Sequence, residues 1–97
     1  MSHWKNPNVH LGVIQAGTPK KVVFEGLPTM PDVIAITPYC GCTTTHFNKD
    51  KKILTITYSN SKIPPQVQVP QSINKRIDIT YNTEETEVLT LKATRIR

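Results

Sequence analysis

Between Val9 and Ala93 apolar side chains recur at every second position, a rhythm that fits extended strands and not helices. Val9, Leu11 and Val13 alternate with His10, Gly12 and Ile14. Val22 and Phe24 alternate with Lys21, Val23 and Glu25, and Ile34 and Ile36 with Val33, Ala35 and Thr37. The same beat runs through Leu54, Ile56 and Tyr58, through Ile77, Ile79 and Tyr81, and through Leu89, Leu91 and Ala93. Thr, Val and Ile fill these segments, and β-branched side chains suit a pleated, half-buried surface. No Pro-free stretch carries a clean three-four apolar spacing, so no helix beyond about two turns is expected.

Turn residues fall where the rhythm breaks. Ala16-Gly17-Thr18-Pro19, then the run Gly26 to Pro31, then Asn48-Lys49-Asp50 separate successive segments. From Ser59 to Ser72 the chain carries Pro64, Pro65 and Pro70, which excludes a central strand and leaves Val67 and Val69 to pair at an edge at most. That stretch reads as a crossing between sheets. Asn82-Thr83-Glu84-Glu85 joins two strongly alternating segments and reads as a hairpin turn. The expected fold is all-β: an Ig-like antiparallel β-sandwich of about seven strands with Greek-key wiring. At 97 residues the chain holds one core. We expect an N-terminal arm over residues 1–7 and a single sandwich domain over residues 8–97.

Lys and Arg number 12 against 7 Asp and Glu, a formal charge of +5. Lys49, Lys51 and Lys52 cluster, Lys75 and Arg76 adjoin, and the chain ends Arg95-Ile96-Arg97, while Glu84, Glu85 and Glu87 form an acidic patch. The basic groups sit in different segments and lack interleaved aromatics, which argues against a nucleic-acid partner and for a solvated surface. No apolar run spans a bilayer, and the first residues lack the apolar core of an export signal. The sequence names no compartment beyond that; a virion or a host cytoplasm fits it.

The segment His10-Leu11-Gly12-Val13-Ile14-Gln15-Ala16-Gly17 resembles the opening strand and turn of bacterial Ig-like domains of unknown function that carry a Cys-Gly-Cys-Thr signature, domains similar to the ASH/hydin group. The signature stands here as Cys40-Gly41-Cys42-Thr43, directly after the segment ending at Ile36-Thr37-Pro38-Tyr39. Ile53 to Tyr58, Ser72 to Asn82 and Val88 to Thr94 resemble that family's later strands. Two turns differ from its pattern: Gly26 to Pro31 replaces an Asn-x-Gly turn, and Asn48 to Lys52 replaces a Pro-Gly turn. The resemblance implies a fold and not an activity.

Cys40 and Cys42 are the residues best placed to carry chemistry. On an extended segment both point to one side. They fit a packed pair at the end of the sandwich, a small-ring disulfide suited to redox change, two thiolates of a metal site with His46 as a third ligand, or a reactive thiol. Met1-Ser2-His3 has the pattern of an amino-terminal copper or nickel site. Trp4 reads as a plug over a sheet edge before a ligand platform. Asp32, Asp50 and Asp78 lie in separate segments and propose no carboxylate pair, and no nucleophile or phosphate-binding motif is present. No enzymatic activity and no cofactor are expected. The reading is a non-enzymatic structural module that docks on a protein partner or larger assembly, such as a phage virion decoration or tail-associated protein. Its contacts would come from Trp4, from Thr43, Lys49, Lys51 and Lys52 in the Thr43 to Lys52 loop, and from Val67 in the crossing. The alternative is a thiol-based redox or metal-binding domain centred on Cys40 and Cys42.

Overall fold

The computed structural model describes residues 2–39 and 41–97. Seven strands and no helix occur among them: β1 (Asn8–Gln15), β2 (Lys20–Glu25), β3 (Val33–Pro38), β4 (Thr43–Asn48), β5 (Ile53–Tyr58), β6 (Gln71–Tyr81) and β7 (Thr86–Ile96). They pair as a four-stranded sheet, β1-β7-β6-β3, and a three-stranded sheet, β2-β5-β4. Only β4–β5 and β6–β7 pair directly with their successors in the chain; the other connections cross between sheets, which is Ig-like Greek-key wiring. One pair departs from the antiparallel expectation. β1 runs parallel to β7, a pairing open to it because the rest of the fold serves as the long return connection.

Between the sheets lies one core, built from Val22 and Phe24 of β2, Leu54, Ile56 and Tyr58 of β5, Ile77, Ile79 and Tyr81 of β6, and Leu89, Leu91 and Ala93 of β7. Ile36 packs against it. The hairpin turn falls where the sequence places it, with Glu84 at φ 71° and the Glu84 amide donating to the Tyr81 carbonyl at 3.1 Å.

Four expectations need correction. In β1 the alternation does not run unbroken: a register shift between His10 and Val13 turns Ile14 inward and leaves Val13 67% exposed. Gly12, at φ +76°, takes up the extra residue. In β3 a shift between Val33 and Ala35 directs Val33 and Ile36 inward and exposes Ile34. Thr43 to Asn48 is a strand and not the first half of a loop; its inner face carries Thr43, Thr45 and Phe47, so two hydroxyls conceal the apolar signal. Val67 and Val69 pair with no strand, because residues 59–70 hold no ladder in the crossing from β5 to β6.

Residues 2–7 are held against the sandwich by hydrogen bonds to both sheets. Trp4 bridges Gly26 beyond the end of β2, the Lys5 amide donates to the Glu25 carbonyl at 2.9 Å, and the Thr90 amide donates to the Pro7 carbonyl at 2.9 Å. The segment therefore starts on one sheet and enters β1 on the other. Trp4 is 2% exposed, and its indole Nε1 donates to the Tyr81 hydroxyl at 2.8 Å, which donates in turn to Glu87 Oε1 at 2.8 Å. Burial first, then the bond to the Glu87 carboxylate, raises the Tyr81 pKa above its ordinary 10.0.

Candidate functional site

The sandwich is 46 Å long and about 20 Å across, so its two ends are separate surfaces. Strand register and the turns that join the strands sort most of the charges between them. Glu25 pairs with Ile53, Val33 with Tyr81, and Thr80 with Thr86, which gathers Glu25, Asp32, Asp50, Glu84, Glu85 and Glu87 toward one end. Lys20 pairs with Tyr58 and Gln71 with Arg95 at the other, where Lys20, Lys21, Lys62, Arg95 and Arg97 collect, with Lys75 and Lys92 part-way along the strands that lead to it. Asp78 is the sole acidic side chain outside the acidic end, and it is committed to Arg76.

Asn60 organises the basic end. It is fully buried at φ 48°, and its Nδ2 donates to the carbonyls of Gln15 at 2.9 Å and Thr18 at 2.7 Å. Its Oδ1 accepts from Arg95 Nε at 3.1 Å. Arg95 is 8% exposed, with further bonds to Gln71 Oε1 at 2.8 Å and to the Ser61 carbonyl. Its guanidinium also lies 5.8 Å from the centre of the Tyr58 ring, which Lys75 approaches at 5.7 Å. A buried cation is thus satisfied by neutral oxygens and a π-face, and its charge stays uncompensated at this end. Arg97 Nη2 donates to the carbonyls of Pro64 at 3.0 Å and Pro65 at 2.9 Å and to that of Val67, fastening the proline-rich crossing. Between these parts lies a cavity of about 240 Å³ lined by Ala16, Lys62, Ile63 and Arg97.

On the outer face of the four-stranded sheet Arg76 stacks 4.6 Å from the Tyr39 ring centre. Asp78 accepts from Arg76 Nε at 2.8 Å and from the Tyr39 hydroxyl at 2.6 Å. Those two bonds, the Arg76 one foremost, lower the Asp78 pKa from its ordinary 3.8, and the bond to Asp78 raises that of Tyr39. The result is a fixed, exposed aromatic beside the basic end.

The residues picked from the sequence disperse. Trp4 and Thr43 are buried, and their side chains do not offer a contact surface. Lys49, Lys51 and Lys52 occupy the β4–β5 turn among the acids, with Lys52 Nζ donating to the Pro28 carbonyl at 2.6 Å. Val67 is half-buried in the crossing and gives its carbonyl to Arg97. Cys42 is disulfide-bonded and packs against the core, whereas His46 faces outward from β4. The fold therefore does not bring those two together, and a disulfide sulfur is not a thiolate donor. Cys40 and Met1 lie outside the described residues, so the Cys-Gly-Cys pair and the amino-terminal copper pattern are followed only as far as Cys42 and His3. His3 stacks edge-on against Tyr81 at 5.0 Å with Nε2 3.4 Å from Glu85 Oε2. Asp32 and Asp50, separate in the chain, do meet along a polar cleft of about 440 Å³ that Lys49 also lines. Among the described residues no three His, Cys, Asp or Glu side chains gather around a common point.

No local sequence pattern marks Asn60, Lys62, Ile63, Arg95 and Arg97 as a unit. One signal was present: no acidic residue occurs between Asp50 and Asp78 or after Glu87.

In class, then, the chain is an Ig-like β-sandwich with one strongly basic end. No protein-family model matches it, and no curated protein matches it in sequence. Among solved structures, the Bacteroides ovatus GH5 xyloglucanase in complex with a XXXG heptasaccharide superposes with a TM-score of 0.60 at 10% identity. The match covers 95% of this chain and 18% of that one, so the likeness is to a small part of the larger protein and concerns fold alone.

Proposed function

We propose that this protein is a non-enzymatic docking module that attaches by its basic end to an acidic surface of a larger protein assembly, such as a phage particle. The supporting observation is the sorting of charge along the 46 Å axis, with every acid except Asp78 toward one end. A tip carrying one sign of charge steers an oppositely charged partner and fixes which end meets it. The fixed Tyr39–Arg76 stack adds a preorganised aromatic and arginine of the kind that concentrates binding energy at interfaces. The motif resemblance to Cys-Gly-Cys-Thr Ig-like domains fits a module without catalytic residues.

Co-sedimentation with the native assembly, beside titration with a glutamate-rich peptide, tests the reading. Reversing charge at Lys62, Lys92 and Arg97 is expected to weaken both by more than tenfold at low salt, and reversing Lys49 and Lys51 to leave them within about twofold. Equal loss from the triple and the double variant, or tighter binding to duplex DNA than to the peptide, overturns it.

A further inference from the structure

We infer that the cavity lined by Ala16, Lys62, Ile63 and Arg97 is a socket for one apolar side chain of an acidic peptide segment, with a neighbouring carboxylate held between Lys62 and Arg97. This rests on the docking reading above and names what enters. Size sets the first limit: about 240 Å³ is below the range of roughly 300–1,000 Å³ that drug-sized ligands and cofactors occupy, and suits a single side chain.

The chemistry of the walls sets the second. Ile63, 8% exposed, and the Ala16 methyl supply apolar surface, while the two cations have no acidic partner among the described residues. Because Nη2 of Arg97 is occupied by the crossing carbonyls, the guanidinium is anchored with Nε and Nη1 left to meet an anion. An apolar group alone leaves that charge unused, and an anion alone leaves the apolar wall wet.

The socket is also built before any ligand arrives. The Asn60 bonds to Gln15 and Thr18 tie one wall, the β1–β2 turn, to the crossing that forms the other. Gly17 supplies the φ of +106° that the β1–β2 turn takes, and the Lys62 stem lies alongside it at contact distance, with Lys62 Cγ 3.4 Å from where a Cβ would stand. Walls fixed in this way bind without first losing their own freedom.

Two hexapeptides decide the matter by fluorescence anisotropy: one all glutamate, the other with a leucine in place of its third glutamate. Despite its lower charge the leucine peptide is expected to bind about tenfold tighter. Ala16→Leu, which fills the cavity, is expected to erase that advantage and leave the all-glutamate affinity within twofold, and Lys62→Gln to weaken both. Folding of each variant is checked by its thermal midpoint, and the Lys51→Leu protein, altered at the opposite end, serves as an exposed apolar control that keeps the preference. Equal or weaker binding of the leucine peptide, or an advantage that survives Ala16→Leu, overturns the socket and leaves the docking reading standing. Failure of both peptides to bind overturns the docking reading and the socket with it.

Discussion

Arg95 brings a positive charge inside the sandwich, and its nearest oxygens belong to Asn60, Gln71 and Ser61 and not to a carboxylate. Removing one of them leaves a buried guanidinium short of an acceptor, a loss dominated by desolvation. Asn60→Ala also frees the carbonyls of Gln15 and Thr18, and is expected to lower unfolding free energy by about 3 kcal/mol in a urea titration with unchanged slope. Tyr81 gives a pH signature of its own. Its folded pKa lies above the ordinary 10.0, so the unfolded state releases this proton first, and stability present below about pH 10 declines as pH rises further. Tyr81→Phe is expected to flatten that alkaline decline, while costing about 1–3 kcal/mol near neutrality because the Trp4 indole N–H loses its acceptor. An unchanged alkaline slope in the variant would remove Tyr81 from the explanation.

At the level of strands the bulges matter most. In β1 Gly12 stands at φ +76° with no atom within 4 Å of a hypothetical Cβ, so a side chain there meets backbone strain and no clash. Gly12→Ala is expected to cost about 1 kcal/mol in equilibrium unfolding while leaving Ile14 inward; a loss several times larger would mean the bulge itself is abolished. The same bulge explains what the sequence conveys and what it conceals. Strand existence was legible from the two-residue beat, as in Leu54-x-Ile56-x-Tyr58, because burial on one face imposes it. Facing was not legible past Gly12 or Ile34, because one extra residue inverts every side chain beyond it. β4 escaped for another reason: Thr43 and Thr45 fill inward positions where the beat expects hydrocarbon. The basic end was legible only as a list of lysines and arginines, since Lys62 and Arg97 are neighbours by virtue of a crossing whose path no local pattern encodes.

For the molecule as a whole, a formal charge of +5 spread evenly would have little effect on stability, but the fold concentrates the excess at one tip. Like charges there repel over a Debye length of about 30 Å at 0.01 M salt and about 8 Å at 0.15 M. The acidic end differs, because Lys49, Lys51 and Lys52 sit among carboxylates and attract them. Added salt should therefore relieve more repulsion at one tip than it weakens attraction at the other. Exposed substitutions act within about 0.5 kcal/mol, which for a chain of this size corresponds to about 2–4 °C in the thermal midpoint. Across that salt range the midpoint is expected to rise by this amount. Combining Lys62→Gln with Lys92→Gln is expected to raise it at low salt and flatten its salt dependence, whereas Lys49→Gln with Lys51→Gln lowers it. Scanning calorimetry of the three proteins at both salt concentrations checks the pair of signs. If both double variants move the midpoint in the same direction, the charge is not sorted by end, and steering by the basic tip loses its physical basis.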